Sequence, residues 1–570
     1  MPVTFNRDLA PIVFRTCAPC HHPGESAPFS LLTYGDVKSH ARQISYTVQK
    51  RIMPPWLPGP ADFELEGDDR LTEQEIALFQ KWVDDGLREG DPRDLPVAPQ
   101  FVSGWQLGKP DIVLTAPKAY TLPASGSDQY WNFVFRTNLN ESRWVKAIEI
   151  HPAQKRLVHH ANLLVDRWQS GRREEKSPGS GFAGMELQIE SETFDPDGHF
   201  FFWKPGMVLK PEPQDMALRL DANNDLVLNT HLQPSGKSEP IQPSIGIYFT
   251  DKPAKRFPVL MQLENDVALN IPAGDSNFVV TDEFTLPTSV ELLAIYPHAH
   301  YVCREMFALA TFPGGTTKTL LHIPRWDQNW QSVFRYTHPV ILPGGTKITM
   351  RYVYDNSADN PQNPNRPPKL VKGGNQATDE MAHLWLQVLP QLRPGEQGDA
   401  RMPLLEALAQ HHVESNPEDF SAHYNFAAML QMRGDLGAAV EQYRAALKMR
   451  PGDAVAENAL GGALLAAGEA REAIPHLRTA ASARPDYFDA HYNLGNAFAA
   501  VEDYAGAAAE FGEAARINPN DAGAEANLGG ALAMLGKNKE ARQHLERALQ
   551  INPNHRLARE NLDAILKDQN

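Results

Sequence analysis

A proline recurs every 34 residues through the last third of the chain, at positions 417, 451, 485, 519 and 553. Two series of alanines keep the same period: Ala439, Ala473, Ala507 and Ala541, and Ala446, Ala480, Ala514 and Ala548. A period of about 20–50 residues is typical of stacked supersecondary units, with small residues where helices cross. The period therefore predicts a solenoid of helix pairs over residues 412–570.

A second feature of these units is the turn between the two helices. Gly434, Gly468 and Gly536 occupy it in three units, and Glu502 stands in the remaining one. The pattern resembles tetratricopeptide repeats, here four repeats and a closing helix. The resemblance implies a concave groove that binds a protein partner. A spacer or a dimerisation surface is the alternative.

Length and charge limit the remaining possibilities. A chain of 570 residues is too long for one core, and three or four domains are expected. The formal charge of −16 argues against a nucleic-acid partner, which would require a basic face. No stretch of about 18 apolar residues occurs, so no membrane span is predicted.

Two of the three cysteines fall in one pentapeptide, Cys17-Ala18-Pro19-Cys20-His21. In c-type cytochromes both cysteines bond covalently to the haem vinyl groups and the adjacent histidine ligates the iron. A redox dithiol or half of a zinc site is the alternative. The third cysteine is Cys303, too distant in sequence to complete a local zinc site.

Residues 1–90 resemble a small monohaem cytochrome c domain fused to a larger enzyme. Met53, between Ile52 and two prolines, is the expected sixth ligand of one covalently bound c-type haem, and His40 is its rival. Because such haem is attached outside the cytoplasmic membrane, the resemblance implies a periplasmic or secreted protein. The chain opens without a signal peptide, so we expect that a leader has been removed.

Short alternating apolar segments fill the middle of the chain, after a proline-rich linker over residues 91–110. Segments 130–136, 144–150 and 225–231 are predicted strands separated by Asn, Gly, Pro and Ser turns. We predict two antiparallel β-sandwich domains, over 111–255 and 256–392, and a second linker over 393–411. The whole chain is then multidomain: a small α-helical domain, two β-sandwiches and a C-terminal α-solenoid.

Histidines gather at three places in the β region, as His159-His160, His231, and His298-Ala299-His300. Residues i and i+2 of a strand share a face, so His298 and His300 can hold one metal ion. His159 and His160 would point to opposite faces unless a bulge interrupts the strand. Imidazole suits copper, zinc and iron alike, so histidines alone do not select the metal.

The segment Thr378-Asp379-Glu380-Met381, with the preceding Gly373-Gly374 and the histidine pairs, resembles the copper type II, ascorbate-dependent monooxygenases. That family includes peptidylglycine α-hydroxylating and dopamine β-monooxygenases. The resemblance covers residues 105–390 and implies two copper ions, held by two β-sandwiches that face each other across a solvent-filled cleft. It assigns the electron-transfer copper to His159, His160 and His231. It assigns the catalytic, dioxygen-activating copper to His298, His300 and Met381.

The implied reaction inserts one oxygen atom of dioxygen into a C–H bond and reduces the other to water. Ascorbate or another one-electron reductant supplies the electrons, and the fused haem is a candidate carrier. The substrate is a small molecule or peptide of unknown identity. The alternative is a repeat-based adaptor, or an electron-transfer or redox-sensing protein, with non-catalytic copper domains.

The sequence departs from the family in its cysteines and in its substrate contacts. Family members from animals are rich in disulfides, whereas residues 111–392 contain one cysteine. The peptide-amidating member holds its substrate's carboxylate with an arginine, an asparagine and a tyrosine, and here those positions are Tyr296, His383 and Trp385. An aromatic-lined pocket for a less charged molecule is therefore expected, and glycine-extended peptides should be poor substrates.

Overall fold

The computed structural model describes residues 2–567 except for 127, 168, 185–197, 375, 377 and 393–397. The chain divides into two compact units, Met1–Leu404 and Leu405–Asn570. No helix in the described part of the chain is long and apolar enough to cross a membrane. Part of the linker predicted for 393–411 lies outside the described residues.

The first 90 residues form short helices around their own apolar core. Phe5, Leu9, Phe79 and Trp82 are fully buried in that core. The π-helical turns Phe5–Leu9 and Val13–Cys17 flank the first α-helix. The α-helices are α1 (Ala10–Ile12), α2 (Tyr34–Ser39), α3 (Ala41–Gln49) and α4 (Glu73–Asp84).

The β-rich character predicted for the middle of the chain is confirmed. Its first part contains a four-stranded sheet in the order β1-β11-β4-β8 and a five-stranded sheet in the order β6-β3-β9-β5-β7. The bounds are β1 (Ile112–Thr115), β2 (Tyr120–Leu122), β3 (Gln129–Arg136), β4 (Arg143–His151), β5 (Val158–Asp166), α5 (Gly171–Glu174), β6 (Phe182–Ala183), β7 (Phe201–Trp203), β8 (Leu218–Leu220), β9 (Asp225–Leu232), β10 (Glu239–Ile241) and β11 (Ser244–Thr250). The three strands predicted here are present, with their ends moved by at most one residue.

One apolar cluster joins the two sheets. Phe133 of β3 and Leu228 of β9 belong to it, together with Ile148 of β4 and Ile247 of β11. All four side chains are almost completely buried. Alternating apolar positions from both sheets therefore face a shared core, which fixes the strands that carry the first histidine cluster.

The second part of the β region contains two more four-stranded sheets, in the orders β12-β21-β15-β18 and β14-β19-β16-β17. Leu292, Met350 and Leu386 are among its fully buried residues. The bounds are β12 (Val259–Glu264), β13 (Asn270–Ile271), β14 (Phe278–Thr285), β15 (Val290–His298), β16 (Cys303–Thr311), β17 (Thr317–Ile323), β18 (Phe334–Leu342), β19 (Lys347–Tyr354), β20 (Val371–Lys372) and β21 (His383–Pro390).

The C-terminal unit is helical, as the 34-residue period predicts. Both alanine series are completely buried between helices, and each series proline follows the end of a helix. The helices are α6 (Met402–Ser415), α7 (Phe420–Arg433), α8 (Leu436–Met449), α9 (Ala454–Ala466), α10 (Ala470–Ala483), α11 (Phe488–Ala500), α12 (Tyr504–Ile517), α13 (Ala522–Met534), α14 (Asn538–Ile551) and α15 (Arg556–Lys567). Helix α6 includes residues 402–411 of the predicted linker, and the periodic Pro417 follows its end.

The inter-helix turns share a left-handed backbone, with φ of 88° at Gly434, 83° at Gly468, 73° at Gly536 and 63° at Glu502. This conformation costs a residue with a Cβ about 1–2 kcal/mol. We therefore expect Glu502→Gly to raise the free energy of unfolding by about 0.5–1 kcal/mol, after the extra chain entropy of glycine. Denaturant titration followed by far-UV circular dichroism measures the change. The reciprocal control, Gly468→Ala, should destabilise the array, and a less stable Glu502→Gly variant would contradict the turn's role.

Candidate metal centre

Three histidines on two neighbouring strands form the first cluster. His159 and His160 lie near the start of β5, and His231 lies near the end of β9. His160 pairs directly with His231, and the strand register shifts between Val158 and His160. The ring centroid of His231 lies 4.8 Å from that of His159 and 5.0 Å from that of His160. The strand irregularity that lets His159 and His160 share one metal ion is therefore present, and both rings lie close to that of His231.

Hydrogen bonds fix two of these rings through one nitrogen each. His231 Nε2 lies 2.8 Å from Asp128 Oδ2, and His159 Nε2 lies 2.9 Å from Gln233 Oε1. The other nitrogen of each ring, Nδ1, is buried and has no hydrogen-bond partner. Buried polar atoms are almost always paired, so two unpartnered nitrogens in one cluster suit a metal ion.

Asp128 is a member of this cluster that sequence reasoning missed. Ligand atoms of Asp128, His159 and His231 all lie within 4.8 Å of one another. Burial alone would raise the pKa of Asp128, but the hydrogen bond from His231 and the two neighbouring imidazoles lower it. Asp128 directly precedes β3, and only the pairing of β3 with β9 brings it to His231.

His298, His300 and the segment 379–381 form the second cluster. The ring centroids of His298 and His300 lie 5.4 Å apart. The regular strand expected through both residues ends at His298, so His300 stands in the loop that follows. Strand alternation therefore does not explain why the two rings approach each other, and another group must hold the loop.

That group is the carboxylate of Glu380, which is almost completely buried. It accepts hydrogen bonds from the backbone N–H of His300 at 2.8 Å, Val302 at 2.7 Å and Met381 at 3.3 Å. Burial raises the pKa of Glu380 to about 8, although these donors act in the opposite direction. The buried Met381 and His300 are thus fixed to one another through the same side chain.

The imidazoles of this cluster are kept neutral. Burial lowers the pKa of His298 to about 3 and that of His300 to about 4. His300 Nδ1 lies 2.9 Å from the carbonyl oxygen of Asp379, and its Nε2 is buried without a partner. A neutral ring that donates from Nδ1 has its lone pair on Nε2, which is the state that binds a metal ion.

A single buried side chain, Gln331, lies between the two clusters. Its Nε2 is 2.9 Å from His160 Nε2 and 3.3 Å from His160 Nδ1, while its Oε1 is 2.7 Å from His298 Nδ1. Tyr296 places its hydroxyl 3.0 Å from the same Oε1. Side chains of both clusters therefore bond to the same amide.

Aromatic residues surround the second cluster at the positions where a carboxylate clamp would stand. The rings of Tyr296 and Trp385 stack at 5.5 Å, and Phe202 lies 5.8 Å from Tyr296. His383 Nε2 is 2.9 Å from Asp266 Oδ2. The negative charge of Asp266 beside His383 disfavours an anionic substrate group at this position. The replacement of the carboxylate-binding residues in the sequence points the same way.

The Cys-x-x-Cys-His segment lies at the end of the first helical run. His21 Nδ1 is 3.0 Å from the carbonyl oxygen of Phe29, which leaves Nε2 available to a ligand. Both cysteines are free thiols, and burial raises the pKa of Cys17 to about 12 and that of Cys20 to about 11. A Cβ at Gly206 would lie 2.3 Å from Cys20 Sγ, so this thiol packs tightly against the first β domain.

The two candidate sixth ligands stand in different surroundings. Met53 lines a cavity of about 920 Å³ together with Trp56, Trp326 and other residues. His40 stacks on Phe29 at 3.8 Å, and Phe29 lies 4.9 Å from His21. Cys17, Cys20 and His21 are not among the residues that line the cavity beside Met53.

The C-terminal unit carries a row of polar contacts between successive helix pairs. Asn493 Nδ2 donates to Asn458 Oδ1 at 3.0 Å, and Asn527 Nδ2 donates to the hydroxyl of Tyr492 at 3.0 Å. Asn458, Asn493 and Asn527 are half-buried and spaced by 35 and 34 residues. These side chains form a regular polar face that was not singled out from the sequence.

Two tetratricopeptide repeat models match this part of the chain, over residues 399–454 and 458–522 and over residues 498–562. The C-terminal unit is an array of tetratricopeptide repeats. Among solved structures, YrrB, described as a tetratricopeptide protein with an unusual peptide-binding site, is 21% identical with a TM-score of 0.27, over 28% of this chain and 82% of its own. MamA from Desulfovibrio magneticus RS-1 is 22% identical with a TM-score of 0.25, over 26% and 85%. No curated protein matches the chain.

Close helix packing within the tetratricopeptide array depends on glycine at three equivalent positions. A Cβ at Gly461, Gly495 or Gly529 would lie 2.4–2.7 Å from a side-chain carbon of the next helix. These glycines also keep the 34-residue period. Tetratricopeptide arrays commonly serve protein binding, which supports the expectation of a protein partner.

Proposed function

We propose that the β region is a copper-dependent monooxygenase that hydroxylates a C–H bond with dioxygen. The observation that carries the proposal is that the five expected histidines form two neighbouring, largely buried clusters, with the buried Met381 joined to the backbone of His300 through Glu380. Unpartnered nitrogens on His159, His231 and His300 support it. A degenerate scaffold would have no reason to retain unpaired polar atoms in its interior.

The donor sets suit copper at both places. His159, His160 and His231 would hold one ion, and His298, His300 and Met381 would hold the other. A thioether favours Cu(I), the oxidation state that meets dioxygen. Bound copper would supply one-electron chemistry and the position for dioxygen. Burial holds His298 and His300 neutral, and hydrogen bonds to Asp128, Gln233 and the Asp379 carbonyl fix the rings of His231, His159 and His300.

The substrate that this site favours is a small molecule with apolar or aromatic surface. Tyr296 and Trp385 present flat apolar rings next to His298, and Phe202 packs against Tyr296. The Asp266–His383 pair offers hydrogen bonding without a net positive charge. Hydrogen-bonding and apolar contacts would then place one C–H bond of the substrate at the second cluster.

We further propose that Cys17, Cys20 and His21 would hold a c-type haem, which would supply electrons for the first copper site. The donor set fits, since two free thiols stand beside an imidazole whose Nδ1 is already bonded. A carrier in the same chain raises the local concentration of the electron donor. Attachment of the haem would place the mature protein in the periplasm or outside the cell.

A test of the copper assignment is the variant Met381→Ile. We expect it to keep copper at His159, His160 and His231 and to lose the sulfur ligand of the second cluster, because isoleucine matches the volume of methionine but has no donor atom. X-ray absorption at the copper edge of the Cu(I) protein measures the loss directly. Hydroxylation, once a substrate is identified, should disappear as well.

Met350 provides the matched control, since it is a fully buried methionine of β19. Met350→Ile should keep the copper–sulfur signal. If Met381→Ile kept that signal while Met350→Ile did not, the assignment of Met381 would be rejected.

The second candidate function is that of an adaptor that binds a protein partner and does no chemistry. The tetratricopeptide array favours it, because such arrays are protein-binding scaffolds. The two functions are compatible, and we propose that the array docks a protein partner of the oxygenase.

A further inference from the structure

Gln331 contacts both histidine clusters. It follows the turn Gln328–Trp330 and is 2% exposed. Its amide nitrogen faces His160, and its amide oxygen faces His298 and the hydroxyl of Tyr296. At 2.9 Å from His160 Nε2 and 2.7 Å from His298 Nδ1, the amide is within direct hydrogen-bond distance of both rings.

The amide constrains the protonation of both rings. A neutral imidazole has one N–H and one lone pair, and an amide presents an N–H face and an oxygen face. The ring that faces the oxygen donates to it, and its other nitrogen then carries the lone pair. The ring that faces the N–H group accepts from it, and its other nitrogen then carries the proton. Turning the amide over exchanges the two rings but keeps one of each kind.

Of the two kinds of ring, only the one that donates to the amide is ready to bind a metal ion. A histidine that ligates a metal through one nitrogen normally donates from the other. As the amide stands, His298 satisfies this requirement, since Nδ1 donates to Gln331 and Nε2 is the lone-pair nitrogen. His160 does not satisfy it while it accepts from the amide. A metal on both rings therefore breaks one of the two contacts with Gln331.

We propose that Gln331 is a positioning residue that makes the two metal sites compete, so that copper at one site weakens copper binding at the other. The inference rests on the proposed function, because it assumes that both clusters bind copper. Copper at the second cluster would polarise the His298 N–H and strengthen the hydrogen bond from the Gln331 amide to His160. Opening of the contact between His160 and Gln331 would then be the step that admits the second ion.

The experiment measures the Cu(I) affinity of the first cluster with a competing chelator, with the second cluster either filled or disabled by His300→Ala. In the otherwise unaltered chain we expect the first cluster to bind about tenfold more tightly when the second is disabled, within the usual range of coupling between sites. In Gln331→Leu the ratio of these two Cu(I) affinities should approach one, because leucine makes no hydrogen bond to either ring. In Gln331→Glu it should also approach one, because a carboxylate accepts from both rings at once.

Gln387→Leu is the matched control, since Gln387 is a fully buried glutamine that bonds to Gly198 and Arg335 rather than to either cluster. It should keep the tenfold ratio. A ratio that survives in both Gln331 variants would overturn the inference and leave the copper assignment standing. Fewer than two copper ions per unaltered chain would reject the copper assignment itself.

Discussion

The Glu380→Ala variant is expected to lose about 3 kcal/mol or more of unfolding free energy, together with copper at the second cluster. Glu380 accepts three backbone hydrogen bonds in the interior, from His300, Val302 and Met381. Alanine leaves those donors buried and unpaired, and each costs about 1–3 kcal/mol. The loop that places His300 next to Met381 then has no anchor.

Denaturant unfolding and copper analysis of the purified variant measure the two effects. The control is Glu283→Ala, which removes a partly exposed carboxylate that pairs with Lys347. A surface pair of this kind contributes about 0–1 kcal/mol, so the control should remain near the unaltered chain. Equal stability and equal copper content of the two variants would show that Glu380 does not organise the second cluster.

Replacement of His231 by alanine should slow electron transfer from the haem to the first copper at least about tenfold. The ring is completely buried, bonds to Asp128 and turns an unpartnered nitrogen toward the cluster. Loss of an outer partner of a metal ligand already costs about 10–100-fold in affinity, and loss of the ligand itself should cost at least as much. Photoreduction of the haem in Cu(II)-loaded protein measures the transfer, since the haem band reports its reoxidation.

We expect reoxidation in the unaltered chain to proceed with loss of the Cu(II) resonance, and to slow at least about tenfold in His231→Ala. The control is His338→Ala, because His338 is an exposed residue of β18 outside both clusters. A haem that stays reduced in the unaltered chain, or that reoxidises equally fast in His231→Ala, would contradict the proposed route.

Local sequence signals predicted most of the fold. The 34-residue period gave the positions of the buried alanines and of the left-handed turns, including the one at Glu502, because each repeat meets the same neighbours. Alternation located the strand that carries His231, whereas β5, which carries His159, was not among the predicted strands. Helix α6 begins before residue 412, the predicted start of the array; Pro417 follows it, but Leu405 and His412 stand where the other units have the periodic alanines.

The histidines of the site were predicted, whereas the residues that hold them were not. Asp128 reaches His231 through the pairing of β3 with β9, and Gln331 reaches both clusters from a turn about 30 residues beyond His300. Contacts between residues so distant in sequence leave no local pattern. Glu380 lies in a motif that the sequence makes conspicuous, but its role depends on the strand ending at His298, two residues before His300.

Copper and haem content is the measurement that tests the central claim most directly. The chain should be produced in cells that attach c-type haem, purified, exposed to copper and freed of excess metal. We predict two copper ions and one covalently bound haem per chain, with one copper ion remaining when His300 is replaced by alanine. A chain that binds no copper, or that binds the same amount after His159, His231 and His300 are all replaced, would contradict the account.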